Sequence, residues 1–397
     1  MGMLKDSQKI VLLVLAAVAC GVLGGAVGGY FSGAVTAERF LAAQPKTAGL
    51  TVPSVTTTAA TKPETATSTQ IRLVELADGQ NAMRSVPESV LTRKSPTALV
   101  YLRRKTATVA DAVLKPGEEL ARAVVVTSDG WFVTAAAAWE GVRVADAVLW
   151  YDGAAYKIEK AVSDRSTGVV FLKTAARDLP SPAFAPATAK RTGLAVWLET
   201  DAKEFTQSTV GAYRLSDYGS WASSDKVERR LVAQAQLETA ARGTPIWDLN
   251  GSLVGVVDKI ENGKVWAISA APISASLQSL VSDGAIKHAS LGLNAVDLST
   301  VHLVSVESGM PTRGAWLKDD KKIAAVVKGA AGDKAGLKAG DVILQIDRDI
   351  LDGGLGLGDI VMQYKPGVTV NFRVWRQGKE MEIPVTFGTQ TAGQELP

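Results

Sequence analysis

Cysteine and histidine are almost absent from this chain. Cys20, His288 and His302 are the whole supply in 397 residues. A lone cysteine allows no intrachain disulfide, so cysteine usage says nothing about redox compartment. The same scarcity leaves no ligand cluster for a metal mechanism, and no metal or cofactor is expected. A strong excess of one charge is lacking too. The formal net charge is +3, and no Lys/Arg block with interleaved aromatics occurs, which argues against nucleic acid as a partner. What is present looks globular: 47% apolar and 21% charged residues, in a chain long enough for two or three domains.

Residues 10–35, "IVLLVLAAVACGVLGGAVGGYFSGAV", form an uncharged run. Crossing the hydrocarbon core takes about 20 apolar residues, so the run predicts a transmembrane helix. Lys5 and Lys9 precede it, and Glu38 and Arg39 follow. Positive charge stays inside, which predicts a single-pass chain with residues 1–9 in the cytoplasm and the bulk outside the cell membrane. "AVAC" is a poor lipoprotein cleavage site, because the sequence after Cys20 stays apolar. An uncleaved anchor is the reading. Gly21, Gly25, Gly29 and Gly33 fall on one helix face, where close helix–helix approach would favour self-association. Residues 36–84, rich in Thr, Ala and Pro, cannot bury a core and read as a flexible tether.

From residue 85 to 285 the pattern is of short β-type runs broken by Asp129-Gly130, Asp152-Gly153, Asn250-Gly251 and Asn262-Gly263. Such pairs accept positive φ at low cost and suit hairpin loops. Many short strands imply a mainly β fold, an antiparallel barrel pair or a sandwich. Trp131, Trp150, Trp247 and Trp266 are expected to pack the barrels.

The order of these segments resembles the HtrA/Deg family of chymotrypsin-fold serine proteases. "VPESVLTRKSPTALVYLRRK" is similar to that family's opening helix and first strand. "VVVTSDGWFVTAAAAWEGV" is similar to a stretch that ordinarily reads Ser-x-Asp-Gly-Tyr-x-x-Thr-Asn-x-His-Val. "VSDRSTGVVFLKT" is similar to Asp-x-x-x-Asp followed by an apolar strand, and "ARGTPIWDLNGSLVGVVDKI" to Gly-Asn-Ser-Gly-Gly-Pro-Leu followed by a hairpin. The resemblance implies a trypsin-like double β-barrel.

It also implies where a catalytic triad would sit. Ala137 falls at the histidine position, Gly168 at the aspartate position and Arg242, three residues before Pro245, at the nucleophile position. None supplies its group. A serine hydroxyl stays a weak nucleophile until an imidazole takes its proton, and a carboxylate orients that imidazole. Losing nucleophile or base costs on the order of a million-fold in turnover. Both histidines lie at or beyond residue 288, outside the expected barrels. Arg242 reads either as a solvated loop charge or as a guanidinium that caps the former cleft. A Ser–Lys dyad using Ser252 or a loop serine has nothing to motivate it.

Residues 286–390 resemble a PDZ domain (α+β), most specifically through "AGLKAGDVILQID", with residues 391–397 left as a tail. Gly336 can end a short helix, Gly340-Asp341 turns into a strand at 342–346, and Gln377-Gly378 turns a final hairpin. PDZ domains add a peptide as a strand to a sheet edge, beside a loop whose N–H groups hold the terminal carboxylate. The resemblance places that loop at Ser290, Leu291, Gly292 and Leu293. It places the facing helix at 358–364, with Ile360, Val361 and Tyr364 toward the groove. "GLGLGD" at 354–359 mimics the loop motif and reads as the approach to that helix. His288 and His302 read as surface or strand residues.

Together these observations describe a membrane-anchored, HtrA-like pseudoprotease. Its PDZ domain would bind C-terminal or exposed hydrophobic peptides, in envelope protein quality control or in regulating an active protease. A homo-oligomer, trimeric as in the family, or a mixed assembly with an active relative is expected. Two other readings stand beside it: a serine-type endopeptidase with an unrecognised mechanism, and a structural membrane oligomer whose PDZ groove is blocked.

Overall fold

The computed structural model describes residues 95–103, 114, 117–186, 192–201, 204–215, 221–234, 242–302 and 309–397. Contacts divide the chain into Met1–Val74 and Glu75–Pro397, and all described residues belong to the second unit. The expected anchor at 10–35, its Gly21, Gly25, Gly29 and Gly33 face and the tether at 36–84 lie outside the described residues. Among those described, no helix is long and apolar enough to cross a membrane.

Six strands, β1 (Thr97–Leu102), β2 (Ala121–Val125), β3 (Trp131–Ala135), β4 (Ala147–Tyr151), β5 (Ala154–Asp164) and β6 (Val169–Thr174), run antiparallel in the order β5-β4-β1-β2-β3-β6. β5 pairs β6 as well, which closes the sheet on itself. Alternate residues point inward, so Val100, Val125, Phe132, Leu149, Ile158 and Leu172 fill the interior. The predicted turns are where the strands reverse. Asp152 and Gly153 both have positive φ, at 50° and 80°, the geometry a two-residue hairpin loop requires.

A second closed barrel contains β7 (Ala195–Asp201), β8 (Glu204–Leu215), β10 (Arg229–Gln234), β11 (Pro245–Trp247), β12 (Leu253–Glu261) and β13 (Lys264–Ser269). Its core holds Val196, Leu198, Leu231, Ile246 and Val265. The intervening strand β9 (Trp221–Ser223) leaves this barrel altogether. Between the barrels, Val133, Phe171, Trp247, Val256 and Ile268 form a third cluster, against which helix α1 (Ala270–Asp283) lays Ile273, Leu277 and Leu280. Trp247 and Trp266 are fully buried, as expected. Trp150 is not: it faces out at 37% exposure, because β4 alternates and its neighbours Leu149 and Tyr151 take the inward face. Trp131 is half-buried beneath the Lys173 ammonium.

The remaining chain has α+β architecture. It comprises β14 (Lys287–Ser290), β15 (Asn294–Asp297), β16 (Ala315–Leu317), α2 (Ala331–Lys334), β17 (Val342–Ile346), β18 (Asp349–Ile350), α3 (Leu357–Val361), β19 (Thr369–Arg376) and β20 (Lys379–Thr386). β19 and β20 pair around the Gln377-Gly378 turn, and β20 alternates exposed residues with the buried Ile383 and Val385. The sheet order is β20-β19-β17-β16-β15-β9. The end of the chain, expected as a tail, is structured: β21 (Gly388–Thr391) pairs with β14, and β22 (Gly393–Glu395) adds to β5 of the first barrel.

Candidate functional site

The three residues singled out from the sequence meet in one place. Ala137 sits in a 3-10 turn (Ala136–Ala138) directly after β3. Gly168 closes the turn before β6, and its carbonyl accepts the Ala136 N–H at 2.8 Å. Arg242 precedes β11 and donates from Nη1 to the Ala137 carbonyl at 2.7 Å. The exposed guanidinium therefore ties the loop before β11 to the turn after β3. The backbone beneath it is tightly held. Arg122 N–H donates to the Arg242 carbonyl at 2.8 Å, and Gly243 N–H to Val257 at 2.7 Å. Gly243 has φ +90°, and a Cβ there would lie 1.8 Å from the Arg122 carbonyl oxygen. Only glycine fits.

One histidine does reach the first barrel, which sequence order did not suggest. His288, on β14, places Nε2 2.9 Å from Oδ2 of Asp164, and both side chains are buried at 3% and 0% exposure. Asp164 also accepts from Ser276 Oγ at 2.6 Å, Thr167 Oγ1 at 2.8 Å and Ser166 N–H at 2.8 Å. Burial pushes its carboxyl upward, but the bonds from His288, Ser276 and Thr167 outweigh that and hold it below the usual carboxylate range. Serine, histidine and aspartate meet here, yet the hydroxyl bonds the carboxylate instead of the imidazole. The group is also closed off from solvent. Its connectivity is that of a fastening between barrel, α1 and β14, not of an activated nucleophile. His302 is exposed, and no group of three or more potential metal ligands occurs among the described residues.

The predicted carboxylate loop has the expected form and is filled. Gly292 has φ +66°, and a Cβ would lie 2.3 Å from that of Ala330. The left-handed glycine turns consecutive N–H groups toward one point. The Asp225 carboxylate occupies that point. It accepts the Leu291 N–H at 2.8 Å, the Gly292 N–H at 3.1 Å and the Ser290 hydroxyl at 2.7 Å. Next to it, Ser224 N–H donates to the Leu293 carbonyl at 2.8 Å, and Ser224 Oγ accepts the Leu293 N–H at 2.9 Å. β9 then pairs antiparallel with β15, setting Ser223 opposite Asn294, Ala222 opposite Ala295 and Trp221 opposite Val296. On the far side stands α3, whose Gly358 has no room for a Cβ: it would lie 1.9 Å from the Lys226 carbonyl oxygen.

The other groove residues hold the domain together. Leu291, Leu293, Ile360 and Val361 belong to its core, and Tyr364 stacks on Phe387 at 4.9 Å. The facing helix is shorter than expected, at Leu357–Val361, and Gly356 N–H donates to Asp359 at its start as the "GLGLGD" reading requires. Sequence reasoning missed Ser224, Asp225 and Gly358. The only local signal is an acidic residue after a three-residue β run, which by itself points nowhere.

Residues 289–387 match the family model described as a PDZ domain. Over 273 residues the chain is 25% identical to a probable periplasmic serine endoprotease DegP-like of Halomonas elongata, covering 66% of this chain and 55% of that one. Over 248 residues it is 26% identical to the serine protease Do-like HtrA of Bacillus subtilis, covering 59% and 55%. The chain thus spans about half the length of the curated relatives it matches. Among solved structures, HtrA-type protease AlgW with a tripeptide aligns at TM-score 0.52 and 19% identity, over 76% of this chain and 96% of that one. AlgW with a decapeptide aligns at 0.50, also at 19% identity, over 76% and 98%. The two closed barrels, the PDZ match and these likenesses agree: the chain is a homologue of the HtrA/DegP-family serine proteases and carries a C-terminal PDZ domain.

Proposed function

We propose that this protein is a membrane-anchored pseudoprotease, a scaffold that retains the HtrA barrels and acts through peptide binding at its PDZ domain. The observation that carries the reading is the bridged cleft. Ala137, Gly168 and Arg242 stand where the family resemblance puts base, orienting carboxylate and nucleophile, and Arg242 bonds across to Ala137. No side chain at these positions can take a proton from a hydroxyl or attack a carbonyl. The carboxylate loop, by contrast, keeps its N–H groups and its left-handed glycine. The relatives named periplasmic serine endoproteases, together with the uncharged run at residues 10–35, support a bulk outside the cell membrane, in envelope quality control or regulation of an active relative. Self-assembly through Gly21, Gly25, Gly29 and Gly33 belongs to the same reading. The test is reaction of the purified full chain with a fluorophosphonate probe, alongside digestion of an unfolded protein substrate. No labelling is expected, with turnover on the order of a million-fold below that of a triad-bearing protease. Labelling abolished by changing one serine, Ser276 included, would overturn the proposal.

A further inference from the structure

The groove that should receive a peptide holds residues 221–226 of the same chain. Their placement reproduces the two parts of strand-addition binding. One part is a β ladder: β9 adds to the free edge of β15. The other is a carboxylate on the loop: Asp225 takes the Leu291 and Gly292 N–H groups and the Ser290 hydroxyl. Ser224 stands where the last residue of a peptide would stand, its N–H on the Leu293 carbonyl. A side-chain carboxylate one residue further on replaces the α-carboxylate that an internal segment cannot have.

The residues that follow fasten the segment on two sides. Arg229 bonds Asp297 on β15 and the Gly353 carbonyl before α3. Arg230 bonds Asp258 on β12 at 3.0 Å and the Val227 carbonyl at 2.5 Å. Val227 N–H returns to the Ser166 carbonyl of the first barrel at 2.7 Å. The strand is thus tied to the PDZ domain by one arginine and to the barrels by the next.

We propose that residues 221–226 are an internal ligand that closes the PDZ groove, and that the groove opens to peptides bearing a free C-terminal carboxylate, which compete with Asp225 for the same N–H groups. The proposal rests on the peptide-binding reading above and adds its regulation. A tethered strand competes at an effective concentration in the millimolar range, so a free peptide binds with its affinity divided down by the small open fraction. Removing the Asp225 charge weakens the internal ligand and leaves the loop donors in place.

The test uses the full chain in detergent and a fluorescent peptide of sequence YGSWASS, residues 218–224, made as free acid and as C-terminal amide. Its terminal carboxylate would fall where the Asp225 side chain now lies. Asp225→Asn, which preserves shape, should bind the acid at least about tenfold more tightly than wild type, with the amide weaker than the acid in every form. A second variant keeps the test independent of Asp225. Ser223→Cys with Asn294→Cys joins residues opposite in register. Oxidised, it should lose acid binding, and reduced, it should regain it. Equal affinity for the acid in wild type, Asp225→Asn and the oxidised pair would overturn the internal-ligand proposal while leaving peptide binding intact. No binding by any folded form would overturn both.

Discussion

The proposed cleft between the barrels and the proposed PDZ groove are each covered by the chain itself, in different ways. On the proposed reading the functional groups of the cleft have been replaced by Ala137, Gly168 and Arg242, and Arg242 bonds the Ala137 carbonyl. On that reading, moving Arg242 aside would expose no chemistry. In the groove the donors of Leu291 and Gly292 are intact and merely engaged by Asp225. Under the internal-ligand proposal, moving residues 221–226 aside would free those donors for a peptide. Substitution is permanent, whereas occupation is an equilibrium that a competing ligand can shift.

Each surface rests on one glycine, and this gives the sharpest way to break the comparison. Gly243→Ala would put a Cβ 1.8 Å from a backbone oxygen at φ +90° and is expected to cost about 3–4 kcal/mol in denaturant unfolding. Gly292→Ala meets the Ala330 Cβ at 2.3 Å at φ +66° and is expected to cost about 2–3 kcal/mol. A reversed order would mean that the groove, not the cleft, is the more rigidly built surface.

His288→Ala tests what joins the two regions. It removes the partner of a buried carboxylate and is expected to cost about 2–3 kcal/mol at neutral pH. The pH dependence has a definite sign. Asp164 is held below its ordinary pKa, so its stabilising contribution is in place above the unfolded value of about 3.9 and is lost as pH falls through the lower folded value. Without His288 the carboxyl rises toward the value that burial alone favours, so acid unfolding should begin at a higher pH than in the wild type. An unchanged acid midpoint would show that Ser276 and Thr167 suffice.

The smallest effect is expected on the outside. Lys173 bonds Asp129 at 2.6 Å and lowers that carboxyl's pKa, but the aspartate is more than half exposed. Lys173→Ala should change thermal stability by less than about 1 kcal/mol and leave peptide-probe binding as in the wild type.

Much of the fold was legible beforehand, because turn chemistry is local. Asp152-Gly153, Asn262-Gly263 and Gln377-Gly378 announced three hairpins, and all three pairs take positive φ at both residues. The strand at 342–346 and the left-handed Gly336 followed from their neighbours in the same way. Trp150 went wrong because a large aromatic was taken as core, whereas strand alternation turned it outward. That Ala137, Gly168 and Arg242 lie close together was readable because each falls in a segment with its own recognisable wording.

What the sequence by itself determined is therefore composition and periodicity: short strands and their reversals. Only the tertiary structure decided which distant groups meet. His288 reaches Asp164 across 124 positions, and Asp225 reaches Leu291 across 66. Such contacts leave no local pattern, since a single buried carboxylate imposes no period on its neighbours. They form because closing the barrels and adding β9 to β15 bring donors and acceptors together away from water, where each must find a partner.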